Sequence, residues 1–177
     1  MDPIARYRVL RDRIDAESAR LTVLHGDDLV CHERCTACCV NLTVFPVEFH
    51  AILREMERDG VDPAAIPFDE SATCGFLHDG LCRIYRYRPI ICRTHGLPIL
   101  YLDDEGDTPE WRVSFCERNF AGDGPVEFTD ETLLDIEDMN AELYQINREF
   151  VASLHDKKYH ENSRIALKDI CKKPEER

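Results

Sequence analysis

The chain has 177 residues, 44% of them hydrophobic and 32% charged, a balance that suits one globular domain with an ordinary core. Its formal net charge of -13 repels phosphate backbones and anionic lipid surfaces, and no run of about 18 apolar residues could span a bilayer. Nucleic acid and membrane are therefore excluded as partners. Nine cysteines are many for this length, yet they fall below the roughly 8 to 10% that marks a small secreted disulfide scaffold, and their number is odd. Met1 to Arg20 alternates charged and apolar residues without the apolar core of a secretory leader. The expected compartment is the reducing cytoplasm, where grouped cysteines point to metal or redox chemistry.

Pro3 to Leu24 reads as an amphipathic helix with Ile4, Tyr7, Leu10, Ile14 and Leu21 on its packing face. The cysteine-rich segment Cys31 to Cys39 follows. Val40 to Phe45 is extended, and Pro46 opens a helix that runs to about Asp59, with Gly60 as terminator. Val61 to Phe68, with two prolines, is a surface strap. Asp79-Gly80 between apolar stretches signals a hairpin, for which a three-residue loop, His78 to Gly80, is expected; that register puts Cys74 and Cys82 on one face. Arg88-Pro89 starts a short helix holding Cys92 and Arg93 and stopped near Gly96. Leu97 to Leu102 and Trp111 to Cys116 are strands around an acidic loop, and Gly122 to Pro125 is a turn. Thr129 is a good N-cap for a long helix over 129–158, with Asp130 and Glu131 in its first turn and Lys157 and Lys158 near its end. Its stripe of Leu133, Ile136, Met139, Leu143, Ile146, Phe150 and Leu154 is a core face, or alternatively a homodimer seam. The tail after Lys172 is expected to fray.

Coordination supplies the energy that removes a thiol proton, so spacing matters more than the acidity of any one cysteine. Cys31, Cys35 and Cys38 stand at i, i+4 and i+7, so a helical or knuckle-like segment projects all three sulfurs from one face. Cys39 adjoins Cys38, and neighbouring side chains diverge; it serves a second site or is a buried small hydrophobe. Cys74, Cys82, Cys92 and Cys116 lie at ends of elements, and the eight candidates would fill two four-thiolate sites. Cys171 is read as a non-ligand. Arg83, Arg86, Arg88 and Arg93 surround Cys82 and Cys92 in an otherwise acidic chain, where guanidinium groups would stabilise an anionic metal-thiolate centre. Arg86 reads instead as a surface ion pair. His32, His78 and His95 read as surface residues or as partners of a ligand.

At these residues the chain resembles the YkgJ-type cysteine-cluster family, to which zinc or iron chelation is assigned and which carries a C-x2-C-x2-C-C motif. The resemblance rests on Cys35-Thr-Ala-Cys38-Cys39, Cys74-Gly-Phe-Leu, Cys82-Arg-Ile-Tyr85 and Arg88-Pro-Ile-Ile-Cys92-Arg93, and extends more weakly to Cys116. Cys31 stands four residues before Cys35, where the motif has three. The family includes flagellin lysine methylases, which implies an alternative catalytic reading with no catalytic residue identified.

The expectation is thus an α+β fold: a single metal-stapled domain over 1–177, with a core over 31–116, short hairpins and a helix at each end. One C-x2-C pair, a dense local triple and distant further cysteines suit an iron-sulfur cluster, 4Fe-4S, with structural zinc as the alternative. The role is redox or metal handling with an unidentified protein or small-molecule partner. No glycine loop for nucleotides, catalytic triad or H-E-x-x-H pair supports another chemistry.

Overall fold

Asp2 accepts a hydrogen bond from Ala5 N–H at 3.3 Å and Pro3 takes the first helical position, so helix α1 begins at Pro3 and runs to His25. A computed structural model describes residues 1–104, 106, 108–122, 126–155 and 157–173. The five predicted apolar residues of α1 are all buried. After the cysteine-rich segment come β1 (Thr43–Val44) and α2 (Pro46–Arg58), the latter ended by Asp59 and Gly60 as expected. The strap that follows contains a 3-10 turn, Pro63–Ala65. Then come β2 (Leu77–His78), β3 (Leu81–Cys82), α3 (Ile90–Thr94), β4 (Ile99–Asp103), β5 (Glu110–Ser114), β6 (Leu134–Asp135), α4 (Ile136–Ser153) and β7 (Ile165–Ala166). The fold is α+β, with helices packed on one another and short strands in small sheets. No helix among the described residues is long and apolar enough to cross a membrane.

Helix α2 is buried on two sides. Val47 and Ala51 meet Ile4, Tyr7, Leu10 and Ile14 of α1 and Leu143, Ile146 and Phe150 of α4. Phe49, Ile52 and Met56 meet Phe76, Ile84 and Tyr87, the residues that flank the later cysteines. A helix between two apolar layers transmits position from the helical bundle to the loops beyond it.

Two expectations change. Helix α4 starts at Ile136, seven residues after Thr129, and ends before Lys157 and Lys158. Thr129 closes a local turn with Thr132, whose N–H reaches Thr129 O at 2.8 Å, and Leu134 pairs in parallel with Ile99 of β4. Leu133 and Leu134 are buried in that extended segment, and Asp135, accepting from Glu137 N–H at 3.0 Å, becomes the cap. Tertiary strand pairing outweighs one cap residue. The hairpin has the two-residue Asp79-Gly80 turn, with Leu77 opposite Cys82 and both turn residues in the left-handed region, not the three-residue loop. The turn read at Gly122 to Pro125 and the tail after Lys172 lie largely outside the described residues.

A buried carboxylate joins three helices. Glu48 accepts from Tyr7 Oη at 3.4 Å and Ile90 N–H at 3.3 Å through one oxygen, and from Phe45 N–H at 3.2 Å through the other. The start of α3, which carries Cys92, is thereby tied to α1 and α2. Burial pushes the Glu48 carboxyl up from its ordinary value, opposed by the Phe45 and Ile90 hydrogen bonds, by Arg164 and by Tyr7. A carboxyl that holds its proton to higher pH when folded takes up protons on folding, so its contribution to stability falls as pH rises from the unfolded value, about 4.3, through the raised folded one. Glu48→Gln removes that slope. Urea unfolding of both proteins at several pH values should show the variant gaining on the wild type as pH rises through this window; a pH-independent difference would show that Glu48 titrates alike in both states.

Candidate metal centre

The first four cysteines do not lie on a helix. Two successive turns, Cys35 N–H to His32 O and Cys39 N–H to Thr36 O, each 3.0 Å, fold residues 31–39 into a double knuckle, with Arg34 at φ 72°. Later segments close over it. Asn41 donates through its side chain to Ala72 O at 3.3 Å and through its main chain to Thr73 O at 2.8 Å, and accepts Gly75 N–H at 3.0 Å, which holds the Cys74 loop beside Cys39. Arg34 Nη1 donates to Asp79 O at 3.3 Å and fastens the hairpin tip to the knuckle. From the other side, Phe120 N–H donates to Asp28 O at 2.8 Å and draws the Cys116 turn onto the segment before Cys31.

The thiols fall into two groups. Cys38 is pushed up from its ordinary acidity by burial, with a main-chain hydrogen bond opposing, and then by charge on Cys31, Cys35 and Cys116. Cys39 is raised to about 11 by burial first, and then by Cys38, Cys74 and Cys82. Cys92, on α3, is raised to about 12 by burial, then by Cys82, Cys74 and Cys39, with Arg88 opposing. Cys82 is raised by burial and by Cys74, against an Ile84 main-chain hydrogen bond and Arg88. One group is thus Cys31, Cys35, Cys38 and Cys116; the other is Cys39, Cys74, Cys82 and Cys92. They meet at Cys38 and Cys39, where charge on Cys38 acts on the Cys39 thiol.

Cys74 and Cys82 are neighbours although the expected hairpin register is wrong. Strand β2 begins only at Leu77, and a turn with Leu77 N–H on Cys74 O at 3.1 Å precedes it, so strand alternation does not reach Cys74. None of the nine cysteines is in a disulfide. Among the described residues no three histidine, cysteine, aspartate or glutamate side chains stand close enough to grip one ion as they are. Two sets of four soft sulfurs nevertheless have the donor chemistry of zinc or an iron-sulfur unit, not that of magnesium or calcium.

The arginines divide. Arg88 is the one whose charge acts on both Cys82 and Cys92, and its guanidinium lies 3.7 Å from the Tyr85 ring centroid. Arg86 pairs with Asp59 at 3.2 Å, the surface role expected of it. Arg93 faces away from the thiols: it pairs with Asp15 of α1 at 2.6 Å and donates to Arg88 O and Arg86 O, so it anchors α3. His32 and His78 are exposed, whereas His95 is half-buried and burial lowers its pKa, with the main chain of Cys38 opposing. Cys171 ends a 3-10 turn packed against the second core layer. Asn41 and Asn119 have no sequence signal; their roles appear only when distant loops meet.

Residues 30–117 match the CxxCxxCC family model, described as "putative zinc- or iron-chelating domain", a span that contains all eight grouped cysteines. The chain, through these residues, belongs to that family. No curated protein and no solved structure matches it. Metal chelation is the property assigned to that family, and the eight thiols of the matched span are soft donors.

Exposure and acidity together order the reactivity of these thiols in the metal-free chain. Iodoacetamide at about pH 8, below the raised values of Cys39 and Cys92, should modify exposed Cys31 first and those two last, because the thiolate is the nucleophile. Peptide mass spectrometry over time reads the order. Early labelling of Cys92 would contradict the burial described for it.

Proposed function

We propose that the chain is a two-centre cysteine metalloprotein carrying iron-sulfur clusters in a redox or metal-handling role, one held by Cys31, Cys35, Cys38 and Cys116 and the other by Cys39, Cys74, Cys82 and Cys92. The partition of eight thiols into two sets of four, divided at an adjacent pair, carries this reading. It resolves the difficulty of Cys38-Cys39, since two neighbouring thiols seldom serve one compact site. Such a cluster supplies one-electron chemistry through iron.

The protein's part is to bring four loops together, to shield the thiols and to set the local charge. Arg88 offsets the negative charge that four thiolates would place at the second centre. Coordination would supply the energy to remove the thiol protons of each set, including those of Cys39 and Cys92, whose pKa values are raised. Cysteines that are odd in number and grouped by a metal-family motif suit a reducing compartment, the cytoplasm. Iron-sulfur is favoured over zinc by the ligand spacing, in which only Cys35 and Cys38 form a paired C-x2-C knuckle.

Metal and acid-labile sulfide analysis under argon tests both parts. The wild type should contain iron and sulfide for two centres. Cys38→Ser should lose the first and keep the second, Cys92→Ser should do the reverse, and Cys171→Ser should lose neither. Zinc without sulfide in the native protein would replace the clusters by two structural ions; loss of all metal in each single variant would replace two centres by one shared site.

A further inference from the structure

The geometry assigns to Asn119 the part of a positioning residue for the first centre, holding Cys31 in place and donating an N–H to its sulfur; this rests on the reading of that group as a metal centre. Asn119 is 1% exposed, one of few fully buried polar side chains, and lies beyond the residues that the family model matches. Its carboxamide oxygen accepts Val30 N–H at 3.1 Å. Its amide nitrogen donates to Gly96 O at 2.7 Å and lies 3.6 Å from Cys31 Sγ. Its own N–H donates to Cys116 O at 2.8 Å. One side chain therefore gathers the segments of Cys31, Gly96 and Cys116, which are far apart in sequence.

The two amide hydrogens account for the orientation. One meets the Gly96 carbonyl, which fixes the orientation because a flipped carboxamide would set oxygen against oxygen; Cys31 Sγ lies 3.6 Å from the nitrogen and 3.8 Å from the oxygen, so the thiol can donate to the oxygen and a thiolate can accept only from the nitrogen. Gly96 makes room for the arrangement: at φ 92°, a Cβ there would stand 3.1 Å from Cys31 Sγ. Cys31 is the exposed thiol among the eight, so its position depends most on such a tie. An N–H aimed at a thiolate stabilises its charge, strengthens coordination and raises the reduction potential of a cluster.

Cobalt(II), a coloured thiophilic ion, separates this from a general loss of structure. Cys92→Ser leaves only the first group intact, and Cys116→Ser only the second. Asn119→Ser, introduced into each, should weaken cobalt binding about tenfold or more in the Cys92→Ser protein, measured anaerobically against a competing chelator, and shift its thiolate-to-cobalt absorption. Binding in the Cys116→Ser protein should not change, which also shows that the fold persists. If the serine variant does not fold, Asn119→Asp takes its place; its carboxylate keeps the shape and the Val30 acceptor but opposes both Gly96 O and the Cys31 thiolate. Unchanged affinity in the Cys92→Ser protein, or equal loss in both proteins, would overturn the assignment. Failure of Cys92→Ser itself, with Asn119 intact, to bind cobalt would instead overturn the two-centre reading beneath it.

Discussion

Two cysteines joined by one peptide bond seldom serve the same compact site, and the cysteine-rich half of this protein places different neighbours around each. Within the double knuckle of residues 31–39, Cys38 feels charge from Cys31, Cys35 and Cys116, whereas Cys39 feels Cys74 and Cys82 and acts on Cys92. Each later segment then joins one side or the other. The hairpin and α3 close over Cys39, while the turn after β5 closes over Cys38. The shared boundary also means that a change of charge at one group is felt by the other, because charge on Cys38 acts on Cys39.

Phe76, Ile84 and Tyr87 seat the later segments on α2, and polar clamps join the thiol-bearing loops to one another. Asn41 ties the Cys74 loop, Asn119 ties Cys31 and Cys116, Arg93 holds α3 to Asp15 of α1, and Glu48 takes the N–H at the start of α3. Each of these residues joins segments separated by tens of positions. The bundle of α1, α2 and α4 serves as the rigid base, and α2, apolar on two sides, connects it to the layer beneath the second thiol group. The bundle has its own core, whereas the loops around the thiols would gain most from coordination.

Several elements were legible because their determinants are local. The apolar face of α1 recurs at helical spacing and is buried residue for residue; Pro46, Gly60, Pro89 and Gly96 bound α2 and α3 through backbone geometry alone. Errors arose where a distant partner decides. Thr129 is a sound N-cap, but Leu134 finds β4 and the helix begins later. The Asp79-Gly80 pair announces a hairpin, yet two closely similar loops satisfy it, and the face of Cys74 depends on a turn before the strand.

The sequence by itself determined the donor chemistry: eight candidate thiols, a dense motif that names the family, and two neighbouring cysteines that seldom share one compact site. Those are properties of residue type and short spacing. Which cysteine goes with which was decided by the tertiary structure, because Cys116 reaches Cys38 and Cys92 reaches Cys39 only through loops closed by hydrogen bonds across the chain. The roles of Asn119 and Arg93 were decided there too. A buried asparagine or arginine looks like any polar residue until the carbonyls and carboxylates it must satisfy have been brought to it.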